Sequence, residues 1–135
     1  MNTKLSLKQI MIAAAMSAGV SVVINAIVFL VGHATGIITD DVMIQPMQPL
    51  QIMPVIMASL LPTFVGAFVF FLFEKYSSNG FRNFSILAVV LLLLSFYSPF
   101  AMIPGASVSY SMALEVMHIV VAGSLLFFIN KAKNR

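Results

Sequence analysis

The chain has 135 residues, 61% of them hydrophobic and only 8% charged. A soluble domain of this length carries about 25% charged residues, so there is too little polar surface here to cover a water-soluble globule. The absence of cysteine excludes disulfides, thiolate metal sites and thiol nucleophiles. A net charge of +3 would suit a nucleic-acid partner, but the placement of the basic residues described below argues for none.

Taken in chain order, the first apolar run covers residues 10–32 and follows Lys4 and Lys8. It is about 23 residues long, which exceeds the 7–15 residues of a signal-peptide core and predicts a retained helix. Ser17, Ser21 and Asn25 recur at a four-residue spacing and share one face of that helix. Residues 33–53 form a long apolar connection in which Pro46 and Pro49 forbid one continuous helix. It is expected to be partly ordered and to cap the bundle.

The second run, residues 54–73, carries Ser59, Thr63 and Gly66. A short polar loop from Glu74 to Asn83 follows, with Asn79-Gly80 as its turn signal. The third run, residues 84–103, carries Ser95, Tyr97 and Ser98, and Pro104-Gly105 turns the chain into the fourth. Ser107 is placed to cap that last helix, residues 108–129. Ser107, Ser111, Glu115, His118 and Ala122 follow one stripe along it, with Tyr110 near its start.

Each run has about 20 residues, enough at about 1.5 Å per residue to cross a hydrocarbon core of about 30 Å. The expected fold is an all-α, four-helix transmembrane bundle running up-down-up-down, a single integral membrane domain. Every Lys and Arg of the chain falls on one side of this arrangement. That is the positive-inside pattern, and it predicts a bacterial inner-membrane protein with both termini cytoplasmic and the lipid bilayer as its partner.

Glu115 and His118 are the only Asp, Glu, His, Lys or Arg side chains within the four runs. Burying either without a partner costs roughly 3 kcal/mol on insertion scales, so the pair is the best sequence pointer to a site. Helix rise puts Asn25, Thr63, Ser95 and Glu115 at similar depths, roughly 10–14 Å below the outer surface, with His118 a turn deeper. A ligand or proton site is therefore expected from Glu115, His118, Asn25, Thr63, Ser95 and Ser111, with Tyr97 and Tyr110 nearer the mouth. The half beneath His118 reads as sealed apolar packing.

Other chemistries fit less well. The bland reading keeps Glu115 neutral and hydrogen-bonded to Asn25, Thr63 or Ser95. Proton-coupled transport of a small solute would need an oligomer to complete a path through so small a chain. Glu-x-x-His is a di-iron spacing, but that centre needs the motif twice plus two more Glu. A haem between His33 and His118 is excluded by a depth difference of roughly 16 Å. Met43, Met47, Met53 and Met57, with Met102 and Met112, offer thioethers that suit copper(I), though Met also fills apolar gaps. No catalytic constellation can be assembled, and no cofactor is expected. An accessory subunit of a membrane complex is the remaining class, with Ala14-x-x-x-Ala18 and Ala15-x-x-x-Gly19 as weak helix-seating patterns.

The overall layout, with Leu-Glu-Val-Met-His at 114–118 and Gln-Pro-Met-Gln-Pro at 45–49, resembles a family of small four-helix bacterial membrane proteins of unknown function. The resemblance covers nearly the whole chain. It implies the four-helix fold and no activity.

Overall fold

The computed structural model describes residues 4–45 and 47–134. Pro46 and Arg135, both read in the sequence, lie outside the described residues. Helix α1 spans Leu7–Ala34 and is followed by a two-stranded hairpin, β1 (Met43–Gln45) and β2 (Gln48–Pro49). Helix α2 spans Ile52–Tyr76, α3 Gly80–Ser95, the short α4 Tyr97–Ala101, and α5 Val108–Lys133. Four segments (α1, α2, α3 with α4, and α5) are long and apolar enough to cross a bilayer. The protein is a multi-pass membrane protein built as a four-helix bundle.

The helices begin and end where local chemistry allows. Ser6 caps α1 with a capping box: its hydroxyl accepts from the Gln9 N–H, and the Gln9 side chain accepts from the Ser6 N–H. These bonds satisfy amide donors that the first turn leaves open. At the other end the Ile37 N–H reaches the Gly32 carbonyl at 2.9 Å and the Gly36 N–H reaches that of His33 at 3.2 Å. Gly36 sits at φ +72°, so this is a Schellman stop, which a residue with a Cβ resists. Ser107 caps α5, its hydroxyl accepting from the Tyr110 N–H.

The connection expected to cap the bundle is ordered into a hairpin, with Met43 opposite Pro49 and Gln45 opposite Gln48. Apolar burial ties it down, since Ile38 and Val42 pack with Phe29, Val55, Tyr110 and Met117. Gly32 leaves the room: a Cβ there would meet Ile38 Cδ1 at 2.8 Å. Outside this core, His33 and Asp40 form an exposed pair at 3.1 Å.

The bundle is asymmetric. α1 lies against both α5 and α2 and buries nine residues, among them the full Ser17, Ser21, Asn25 stripe. α3 buries only Gly80 and Phe84. At the end bearing Lys4, Arg82 and Lys133, a second core gathers Ile10, Ala67, Phe70, Phe84, Leu125 and Ile129, with Phe70 and Phe84 edge to face at 5.3 Å. The third span is not one helix as expected: it breaks at Phe96, and α4 then carries it to Ala101. Ser111 fixes the broken piece, its hydroxyl donating 2.8 Å to the Pro99 carbonyl.

Candidate functional site

Two of the expected site residues, Asn25 and His118, line one cavity, and a third, Glu115, contacts His118. In α1, Asn25 is 2% exposed. Its Nδ2 donates to Ser59 Oγ at 2.9 Å and to the Met117 carbonyl at 3.2 Å. A carbonyl accepts and never donates, so the Met117 bond fixes which end of the amide is nitrogen. Ser59 in turn donates to the Val55 carbonyl at 2.9 Å. Asn25 Oδ1 is left as a buried acceptor with no partner among the described residues.

Asn25, Ser59, Ser98 and His118 supply the polar wall of a cavity of about 290 Å³, closed toward the hairpin by Ile44 and Leu50. Among the described residues no Lys or Arg lines it. His118 is half exposed and reaches Glu115 through Nδ1 at 3.4 Å, the long limit of a hydrogen bond. Glu115 is 3% exposed. It hydrogen-bonds to none of the Asn25, Thr63 or Ser95 side chains expected as its partners; its Oε2 has no partner among the described residues.

The remaining expected residues are placed elsewhere. Thr63 is buried but donates to the Ser59 carbonyl of its own helix at 2.7 Å. Ser95 donates to the Leu92 carbonyl and faces a neighbouring apolar groove, not the polar cavity. Tyr97 is 71% exposed, beyond the mouth. Tyr110 is 1% exposed in the hairpin core, its hydroxyl without a partner among the described residues, and Ser111 is committed to Pro99. The reason is rotational: shared depth along helices does not give shared direction, and Ser95 is turned to the groove between α2, α3 and α5. Met43, Met47, Met53 and Met57 are all exposed, and none lines either cavity beside His118.

Sequence reasoning missed two features. Pro62 stands inside α2 and has no N–H, so the Ala58 carbonyl loses its helical donor; Ala58 is on the wall of the polar cavity. A proline four residues after a small residue in an apolar run was the available signal. The second is Glu74, read as a loop residue. It is 3% exposed, accepts from Lys133 Nζ at 2.6 Å and from the Leu5 N–H at 3.1 Å. It ties the chain's two ends to the α2–α3 turn.

A model of a family of unknown function (DUF6069) matches residues 6–135. The chain belongs to DUF6069. No curated protein and no solved structure matches it. Among its described residues no group of three His, Asp or Glu side chains could hold a metal ion.

Proposed function

We propose that this DUF6069 member is a ligand-binding membrane protein, taking a small molecule through a hydrogen-bond donor in the cavity bounded by α1, α2, α4 and α5. The orphaned Asn25 Oδ1 carries this reading. A buried acceptor left unpaired costs about 1–3 kcal/mol, and the residue that carries it lines a cavity together with Ser59, Ser98 and His118. Ala58, whose carbonyl Pro62 deprives of its usual helical donor, lines the same cavity. The site asks for a donor and offers no cation other than the imidazole, so its ligand is not an anion. We place the protein in a bacterial inner membrane with Lys4, Arg82 and Lys133 on the cytoplasmic side, supported by the one-sided distribution of Lys and Arg.

Native mass spectrometry of gently extracted protein tests this. The wild type is expected to carry a small molecule at unit stoichiometry, and Asn25→Leu and His118→Phe are each expected to lose it while keeping the helical circular dichroism of the wild type. A bare wild-type protein, or an adduct that survives both substitutions, overturns the reading.

A further inference from the structure

The polar cavity does not end at His118. His118, Ala58 and Val121 form a common wall between it and a second cavity of about 330 Å³ enclosed by α2, α3 and α5. This neighbour is almost wholly apolar: Leu87, Leu91, Val121 and Leu125 line it, and Ser95 has spent its hydroxyl on the Leu92 carbonyl. Val65 and Leu91, 62% and 56% exposed, stand at its rim, so it opens sideways to the bilayer. Helix α3 leaves the space because it contributes so few buried residues. Each cavity alone sits at the lower edge of ligand pockets, which run roughly 300–1,000 Å³. Together they have the shape of an amphiphile, with an apolar channel leading to a polar end at the imidazole.

We propose that the ligand is a membrane-dissolved amphiphile whose single apolar chain lies between α2, α3 and α5 and whose hydroxyl or amine head donates to Asn25 Oδ1 past His118. This inference rests on the ligand-binding reading and adds its chemical class and its route of entry, which is lateral from the lipid. The apolar chain selects nothing by itself, because lipid tails are as apolar as the groove; the head is what distinguishes the ligand from the surrounding bilayer. With no Lys or Arg among the described residues on either wall, a phosphate head has no counter-charge there. An ether or ester head lacks the donor that Asn25 Oδ1 needs.

The test uses the full chain in phosphatidylcholine nanodiscs, whose headgroup carries no hydrogen-bond donor. The probe is tetradecanol with a mid-chain diazirine, compared with its methyl ether. After illumination, peptide mapping is expected to find label on residues 87–92 and 121–125 about tenfold above that on the lipid-facing side of α1 at Val23, Ile27 and Leu30, the ratio that one satisfied acceptor of roughly 1.4 kcal/mol gives. The methyl ether is expected to label both faces equally. Asn25→Leu and Ala122→Phe are each expected to remove the excess, the first at the head and the second in the channel; Ala88→Phe repeats the channel test if Ala122→Phe does not fold. Uniform labelling by the alcohol, or an excess that persists with the methyl ether or in Asn25→Leu, overturns the proposal. If labelling is uniform while wild-type protein still carries a small molecule lost in Asn25→Leu, the amphiphile assignment fails alone. If that molecule is absent too, the ligand-binding reading falls with it.

Discussion

Asn25 and Glu74 show how differently two buried polar residues are treated in one bundle. Glu74 has its oxygen satisfied by Lys133 at 2.6 Å and by the Leu5 amide. Removing one partner of such a pair strands a charge at a cost of about 3–5 kcal/mol, and the lower end applies here because Lys133 keeps 18% of its side chain in contact with solvent. Lys133→Met is therefore expected to lower the unfolding free energy by about 3 kcal/mol, and adding Glu74→Gln is expected to restore most of it, because no charge is then left unpaired. Thermal unfolding in detergent reads both. An unchanged melting point in Lys133→Met would show that the pair contributes little. Glu115 is the opposite case: its Oε1 meets His118 only at 3.4 Å and its Oε2 meets nothing among the described residues. Glu115→Gln takes an ionisable group out of an apolar interior, so stability is expected to hold within about 1 kcal/mol. Thermal unfolding in detergent checks this as well. A large loss of stability would assign Glu115 to the framework instead.

At the scale of elements, glycines set two of the joints. Gly36 ends α1 at φ +72°, where an L side chain crowds the following carbonyl at a cost of about 1–2 kcal/mol. Gly36→Ala is expected to lower stability by about 1 kcal/mol and to loosen the hairpin, which limited proteolysis between 37 and 51 would report. Gly80, the first residue of α3, is packed harder: a Cβ there would lie 2.7 Å from Glu74 Cα and 2.9 Å from its backbone nitrogen. Backbone cannot swing aside as a side-chain tip can. Gly80→Ala is expected to cost about 1–3 kcal/mol and to disturb the Glu74–Lys133 pair with it, so its melting point should fall further than that of Gly36→Ala. The reverse order would mean that the α2–α3 turn shifts freely.

For the whole molecule the open question with a direct answer is orientation. The basic end gathers Lys4, Lys75, Arg82, Lys131 and Lys133, and the hairpin end carries Asp40 and Asp41. The chain has no cysteine, so single-cysteine labelling is free of background. Asp40→Cys gives up only an exposed pair with His33, of the kind worth about 0–1 kcal/mol. An impermeant maleimide is expected to label Asp40→Cys in intact cells and Asn134→Cys only after permeabilisation. The opposite pattern would invert the molecule and put the polar cavity on the cytoplasmic side.

Composition and hydrophobic run length by themselves determined that this chain crosses a membrane with four helices, because burying each backbone amide in lipid leaves little choice but helix. They also placed the Ser17, Ser21, Asn25 stripe inside, since a four-residue spacing fixes one face of one helix. What they left open was how faces of different helices meet. Asn25 joined Ser59 and the Met117 carbonyl, not Glu115, and Ser95 turned to the apolar groove. Those outcomes depend on rotation about each helix axis, which small packing residues and the break at Phe96 decide and local spacing does not carry. The Glu74–Lys133 pair is a still longer-range fact, joining residues 59 positions apart. Only the packed bundle brings such partners together, and only there does an unpaired oxygen such as Asn25 Oδ1 become visible.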